Sequence, residues 1–225
     1  MRFQDAAPDA RHVVYAGIQA DPLVARVAGL LVEATLGGRL MARAVMNGER
    51  TEPDVWRPMF PALFGAADPV LVARSEELLE ACLEVARRGE QARSQYRGAI
   101  VESLTELLLA RRTAGIRRER RILFDGVRAE IHPYDVTVEV DGAAEAYDCK
   151  WGARGINADV LDQLENARRH AAAEEQRLTV ALVVYDARRS CLVRFARQTV
   201  RREGIGLVSL ETLDRLAGRR AGAAG

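Results

Sequence analysis

The chain contains almost no lysine: of its 33 basic residues, 32 are arginine, and the one lysine is Lys150. Aromatic residues make up 5% of the chain, and the three cysteines, Cys82, Cys149 and Cys191, lie far apart. Cysteines that are few, odd in number and without a C-x-x-C pair argue against a disulfide framework and a zinc knuckle. The three histidines are equally dispersed, so we expect any metal ion to be held by carboxylates.

Long apolar segments are also absent from the sequence. No stretch reaches the roughly 18 uncharged apolar residues that a membrane span needs. The first residues, Met-Arg-Phe-Gln-Asp, lack the apolar core of a signal peptide. With 225 residues, 48% of them hydrophobic and 29% charged, the chain is large enough for one or two globular domains. We therefore expect a globular protein without a membrane partner and with a cytoplasmic location.

The net charge is only +1, but the arginines between residues 111 and 128 outnumber the acidic residues there, which are Glu119 and Asp125. Such a cluster can follow a phosphate backbone by releasing counterions. It is equally consistent with a solvated helix end and loop. On the first interpretation, the candidate nucleic-acid-binding residues are Arg117, Arg118, Arg120 and Arg121.

Residues 1–95 are predicted to form a helical accessory region, and nothing in them carries a recognisable site. The first 20 residues are expected to form a loose arm. Apolar spacing predicts a helix over 21–34, which Gly37-Gly38 interrupts or ends, and a second helix over 69–88. On the alternative that the protein is a nuclease switched on by a partner or small ligand, this region is the surface through which the activator would act.

Residues 96–225 alternate between helix-like and strand-like patterns, which predicts a mixed β-sheet flanked by helices and hence an α/β domain. The expected elements are a helix at 95–112, strands at 121–127, 131–140 and 143–151, a helix at 157–173, a buried central strand at 178–185, strands at 191–196 and 206–209, and a closing helix at 210–216.

The Asp141-Gly142 dipeptide predicts a two-residue type I′ turn between two of these strands. A loop of that length places Asp135 directly opposite Asp148 on one face of the hairpin. Lys150 shares this face because side chains alternate along a strand. Two opposed carboxylates repel each other unless a positive group lies between them.

These three side chains have the chemistry of a divalent-metal site. Mg²⁺ prefers oxygen ligands and usually takes one or two protein carboxylates, leaving its other positions to water and phosphate. Such a metal activates water and stabilises the charge that develops during phosphoryl transfer. Lysine differs from arginine in being a compact point charge on a flexible stem. We therefore predict Mg²⁺ or Mn²⁺ at Asp135 and Asp148, with Lys150 beside it.

The run His-Pro-Tyr-Asp135, followed by Asp148-Cys-Lys150, resembles the signature of the PD-(D/E)XK nuclease superfamily, which has the restriction-endonuclease-like fold. Gly98, followed four residues later by Glu102, resembles the first core helix of that family. The resemblance covers about residues 95–217. The proline of the signature departs from the family pattern, because it lies two residues before the aspartate.

Gln163 resembles the glutamine of a subset of this family that carries a Q-x-x-x-Y motif, although the fourth position after it is alanine here. By this resemblance, Asp135, Asp148 and Glu102 bind the metal and Lys150 positions or activates the attacking water. Gln163 contacts the substrate or supports the site.

The function implied is a metal-dependent nuclease, a hydrolase that cleaves nucleic acid, with DNA favoured over RNA. Endonuclease and exonuclease activity both remain open, as do roles in defence, restriction or repair. A catalytically silent nucleic-acid-binding module and a nuclease that needs an activating partner are the alternatives. A homodimer is also compatible with the sequence.

Neighbouring residues have simpler interpretations. Glu139 and Glu145 are expected to have surface roles. Cys149 alternates away from the site and is expected to pack in the core. His132 and Tyr134 are candidates for stacking on the substrate or touching it.

Overall fold

The computed structural model describes residues 1–6, 10–124, 127–128, 132–140, 142–198 and 203–218. The chain divides into two compact units. Asp9–Leu107 forms one, here called the helical unit, and Met1–Pro8 with Leu108–Gly225 forms the other, here called the sheet unit. The predicted boundary between residues 95 and 96 falls inside a long helix, Glu90–Leu109, most of which belongs to the helical unit.

The helical unit contains short and long helices in succession. They are α1 (Ala10–Gln19), α2 (Pro22–Glu33), α3 (Leu36–Asn47), α4 (Pro53–Trp56), a 3-10 turn (Arg57–Met59), α5 (Pro61–Phe64), α6 (Pro69–Ala86) and α7 (Glu90–Leu109). Helix α2 starts as its sequence predicts, because the Asp21 side chain accepts a hydrogen bond from the Leu23 N–H and Pro22 occupies the first turn.

Two predictions for this part of the chain are wrong. Gly37 and Gly38 do not end a helix, since they lie in the first turn of α3, which begins after its capping residue Thr35. The first 20 residues are not a loose arm. Residues Arg2–Asp5 form a strand of the sheet, and α1 follows in the helical unit.

In the described part of the sheet unit, seven strands form one sheet. They are β1 (Arg2–Asp5), β2 (Ile116–Phe124), β3 (Val127–Arg128), β4 (Tyr134–Val140), β5 (Ala143–Lys150), β6 (Leu178–Val184) and β7 (Ile205–Ser209). Their order is β1-β2-β4-β5-β6-β7, and β3 pairs with β2. The pairs from β1 to β5 are antiparallel, whereas β5 with β6 and β6 with β7 are parallel. The predicted mixed α/β architecture is confirmed.

Parallel neighbours need a crossover connection, and two helices provide it here. Helix α8 (Ala158–Ala173) joins β5 to β6, and α9 (Arg188–Ala196) joins β6 to β7. A 3-10 helix, Leu210–Ala217, follows β7. The strand predicted at 191–196 is therefore wrong. Its strand-like composition is overridden by the topology, because this segment has to cross from one parallel strand to the next.

Strand β6 is the predicted buried central strand, with both edges paired and its last five residues buried. The core of the sheet unit lies between this sheet and α8, which buries Leu161, Leu164 and Ala167 against it. Each fully buried leucine or valine contributes about 1.5–3 kcal/mol relative to exposure. No helix of the described residues has the length and apolar character that crossing a membrane requires.

Candidate functional site

The β4–β5 hairpin has the predicted register. Val140 pairs with Ala143, and the ladder continues to Val136 opposite Tyr147. Gly142 has a φ of +72°, as a turn of this kind requires, while Asp141 lies outside the described residues. The register brings the next position on each strand, Asp135 and Asp148, to the open end of the hairpin.

The Asp135 side chain is bound to the backbone of the adjacent strand, β5. Its Oδ2 accepts a hydrogen bond from the backbone N–H of Cys149 at 2.5 Å. A charge-assisted bond of this type is stronger than a neutral one, so it holds the carboxylate against β5. Cys149 itself is buried, as predicted. The Asp135 carboxylate is thereby fixed to the backbone between Asp148 and Lys150.

Lys150 and Asp148 form an ion pair between Nζ and Oδ1. The Asp148 side chain is 10% exposed and that of Lys150 is 28% exposed. Burial lowers the pKa of Lys150, but the charges of Asp135 and Asp148 outweigh this effect and raise the pKa above its ordinary value. Lys150 is therefore an ammonium at neutral pH. It can stabilise negative charge or orient a water molecule, and it is a poor general base.

The stem of Lys150 packs on a turn that the sequence motifs did not single out. Residues Ala153–Gly155 form one turn of 3-10 helix, and a Cβ at Gly155 would lie 2.8–3.0 Å from Cδ, Cγ and Cβ of Lys150. The turn is held by Asp186, whose Oδ2 accepts from the Ala153 N–H at 2.9 Å. In the sequence, the feature that could have indicated this packing is a glycine five residues after the lysine.

Gln163 projects from α8 and is buried. Its amide makes two hydrogen bonds with the backbone of His132: Oε1 accepts from the N–H at 3.3 Å and Nε2 donates to the C=O at 3.1 Å. Gln163 thus supports the segment that leads into Asp135, and its role at a catalytic site stays a prediction. Tyr134 is fully buried, with its hydroxyl 3.5 Å from the Gln163 C=O. Its predicted contact with substrate is wrong for this reason, whereas His132 is exposed.

Glu102 lies in the helical unit, and both of its carboxylate oxygens are hydrogen-bonded there. Tyr15 Oη donates to one at 2.5 Å and Gln19 Nε2 donates to the other at 2.7 Å. A Cβ at Gly98 would lie 2.9 Å from Tyr15 Oη, so the glycine one turn before Glu102 makes room for this hydroxyl. The role of Glu102 as a metal ligand stays a prediction.

The predicted nucleic-acid-binding arginines, Arg117, Arg118, Arg120 and Arg121, lie on β2 and not on a helix end or loop. Arg120 is engaged within the sheet unit, because it forms ion pairs with Asp5 at 2.8 Å and with Glu139 at 3.1 Å. Arg117 is exposed. Contact of these residues with nucleic acid stays a prediction.

Glu145, which lies on β5, belongs to a separate ion pair. Its carboxylate accepts hydrogen bonds from the Arg112 guanidinium and from the Tyr147 hydroxyl. Burial raises the pKa of Glu145, but these hydrogen bonds outweigh it and hold the pKa below its ordinary value. Glu145 therefore stabilises the sheet unit rather than acting as a solvated surface charge.

The donor set at the open end of the hairpin fits a magnesium-type ion. Asp148 Oδ1 is buried, and the Lys150 ammonium lies directly against it. Two carboxylates are enough for Mg²⁺, which retains water and phosphate as further ligands. Within the described ranges, no group of three or more His, Cys, Asp or Glu side chains could hold a metal ion.

No protein-family model and no curated protein matches the chain. Among solved structures, the crystal structure of protein VC1899 from Vibrio cholerae is similar to it, with 19% sequence identity and a TM-score of 0.44. The similarity covers 96% of this chain and 57% of that protein, so the chain spans little more than half of its length. These comparisons assign no family to the chain.

Proposed function

We propose that the chain is a metal-dependent nuclease of the PD-(D/E)XK type, with a restriction-endonuclease-like sheet unit, and that it hydrolyses phosphodiester bonds of DNA. The observation that supports this most is the cluster of Asp135, Asp148 and Lys150 at the end of β5. Two carboxylates and one ammonium meet there on adjacent strands, and the Asp148 carboxylate is largely buried.

Each residue of the cluster has a role that its contacts suit. Asp135 and Asp148 would hold Mg²⁺ or Mn²⁺, and the bound ion would supply Lewis-acid stabilisation and lower the pKa of a water ligand. Lys150 stays protonated and places a positive charge where the phosphate develops negative charge. Gln163 keeps the segment before Asp135 in place through the backbone of His132.

The test is cleavage of circular DNA, linear DNA and RNA in the presence of Mg²⁺ or Mn²⁺. We expect the wild type to cleave DNA and the Lys150→Ala and Asp148→Asn variants to lose cleavage by at least about 10²-fold, because each removes a charge that faces the reacting phosphate. Circular DNA separates endonuclease from exonuclease activity in the same gel. Omission of the divalent metal should abolish cleavage.

Glu139→Gln provides a matched control. Glu139 is a carboxylate of the same hairpin and forms an ion pair with Arg120. Among the described residues, no hydrogen bond or ion pair joins it to the cluster. This variant should cleave at the wild-type rate. Full activity in both Lys150→Ala and Asp148→Asn, with folding confirmed by circular dichroism, would remove the assignment.

A second candidate function is a nuclease-like module that binds nucleic acid without cleaving it, or that cleaves only with an activating partner. The direct ion pair between Lys150 and Asp148 favours it, since it already neutralises a carboxylate that a metal would need. Calorimetric titration with Mn²⁺ separates the two candidates. Heat of binding that is lost in Asp148→Asn supports the nuclease, and absence of binding to the wild type supports the silent module.

A further inference from the structure

A groove lined by arginines lies on the sheet unit, between the Ala153–Gly155 turn and α9. It encloses about 420 Å³, and four of its seven lining residues are Arg154, Arg189, Arg194 and Arg197. Among the described residues, no Asp or Glu side chain lines it. A concave surface with several guanidinium groups is suited to anions, because arginine binds phosphate oxygens through two parallel N–H bonds.

Three of these arginines, Arg154, Arg189 and Arg197, are exposed, and none of them takes part in an ion pair among the described residues. Arg120 of the predicted cluster differs in this respect, since it faces two carboxylates. Like charges that share a groove repel one another, and a bound polyanion relieves that repulsion. The groove is thus a better candidate for phosphate binding than Arg120.

The fourth arginine, Arg194, joins the two sides of the groove through a hydrogen bond. Arg194 Nε donates a hydrogen bond to the C=O of Ile156 at 3.1 Å, and Gln198 Nε2 donates to the same oxygen at 3.4 Å. Helix α9 is therefore fixed to the chain that directly follows the 3-10 turn. The groove consequently has a defined shape before any ligand binds.

The same turn connects the groove with the candidate catalytic cluster. Gly155 packs against the stem of Lys150, and Arg154 immediately precedes it. Four residues span at most about 14 Å, so the backbone of Arg154 lies within that distance of the backbone of Lys150. This corresponds to about four nucleotides along one strand of a duplex at 3.4 Å each.

We propose that this groove binds the phosphate backbone of the nucleic acid strand on which the Asp135–Asp148–Lys150 cluster acts. The inference rests on the proposed function, and it assigns substrate binding to Arg154 on the 3-10 turn and to Arg189 and Arg197 on α9 and at its end. The exposed Val193, which also lines the groove, supplies an apolar contact for the sugar.

The test measures binding separately from cleavage. A fluorescein-labelled DNA duplex of about 20 base pairs is titrated by anisotropy in a chelator, at salt concentrations between about 50 and 200 mM. The groove variant combines Arg154→Gln, Arg189→Gln and Arg197→Gln. Loss of three phosphate contacts should reduce the slope of log K against log salt by about 2.7, at about 0.9 per contact. The melting temperature should hardly change, because exposed substitutions have small effects on stability.

A matched control carries the same change in net charge elsewhere. It combines Arg50→Gln, Arg74→Gln and Arg87→Gln, three exposed arginines of the helical unit. The proposal expects the wild-type slope for this control. An unchanged slope in the groove variant would overturn the proposal, and so would an equal loss of slope in the control, because net charge alone would then explain binding.

Two further outcomes identify which claim has failed. A groove-dependent slope in a wild-type protein that cleaves nothing with Mg²⁺ or Mn²⁺ supports the binding groove, removes the proposal of a nuclease active on its own, and supports the second candidate function. Groove-dependent binding of poly-glutamate, together with no binding of DNA, would overturn the inference and identify an acidic polypeptide as the ligand.

Discussion

Substitution of Gly155 by alanine should displace Lys150 without unfolding the protein. The added Cβ would lie 2.8, 2.9 and 3.0 Å from Cδ, Cγ and Cβ of Lys150, whereas carbon atoms in contact prefer about 3.5–4.0 Å. One of the three carbons is the Cβ, whose position the strand fixes, so a change of rotamer cannot relieve the overlap. The turn and the lysine stem have to separate by about 0.5–1 Å.

The expected magnitudes differ for rate and stability. Overpacking by one methyl group costs about 1–2 kcal/mol of unfolding free energy, which leaves an ordinary domain folded. A displacement of about 1 Å at a reacting centre costs about 10²-fold in rate. We therefore expect Gly155→Ala to cleave DNA about 10–100-fold more slowly while urea denaturation shows only a modest loss.

The position of Lys150 can also be followed without any cleavage assay. It is the chain's single lysine, so lysine labelled with ¹³C at Cε gives one NMR signal. In the wild type this signal should not titrate at or below about pH 10.5, because Asp135 and Asp148 raise the pKa of the ammonium. In Gly155→Ala the signal should shift, and the pKa should fall towards its ordinary value as the ion pair loosens.

Gly142→Ala is the matched control for this experiment. Gly142 has a φ of +72°, and apart from its two chain neighbours no atom of the described residues lies within 4 Å of the point that a Cβ would occupy there, so alanine costs about 1–2 kcal/mol through backbone strain alone. Its stability should fall to a similar extent while the lysine signal and the cleavage rate stay at wild-type values. An unchanged lysine signal and rate in Gly155→Ala would refute the packing argument, and equal rate losses in both variants would attribute the effect to stability.

Three further predictions concern the same unit. Glu145→Gln should lower the unfolding free energy by about 1–2 kcal/mol at neutral pH, because it weakens the charged hydrogen bonds with Arg112. The pKa of Glu145 is lowered in the folded protein. The difference in unfolding free energy between the wild type and this variant should therefore be fully present above about pH 4.3 and vanish as the pH falls through the folded pKa. A difference in urea midpoint that persists in acid would contradict this prediction. Gln163→Leu should destabilise the protein by about 1–2 kcal/mol. It should also slow cleavage further than that loss explains, because the backbone at His132 loses its two hydrogen bonds. Wild-type kinetics would show that these hydrogen bonds are dispensable for cleavage. Lys150→Arg should reduce cleavage by about 10²-fold, since a planar guanidinium cannot take the place of a compact ammonium beside Asp148, and wild-type cleavage would show that any cation suffices.

The hairpin and its cluster could be predicted from the sequence because they depend on local rules. A two-residue turn fixes the register of its strands, and the alternation of side chains then places Asp148 and Lys150 on one side. The buried strand β6 was predictable for a similar reason, since a continuous apolar run needs neighbours on both edges. The structure confirms both features.

The features that could not be predicted from the sequence depend on contacts between distant segments. Strand β1 has only four residues, and it forms because β2 offers an edge to it. Whether Arg120 is available to a ligand depends on Asp5, which is 115 positions away in the sequence and directly opposite in the sheet. The segment that forms α9 carries strand-like residues, and the parallel arrangement of β6 and β7 decides its conformation.

The charges of the sheet unit predict that the groove provides affinity for nucleic acid and that the cluster provides cleavage. Asp135, Asp148 and the protonated Lys150 together carry one negative charge, so the cluster alone repels a phosphate backbone. A divalent cation bound there would reverse that sign. The arginine groove is positive in either state. Affinity for nucleic acid should therefore come from the groove and depend little on divalent metal, whereas cleavage by the proposed mechanism should depend on it completely, because the metal would bind at the cluster.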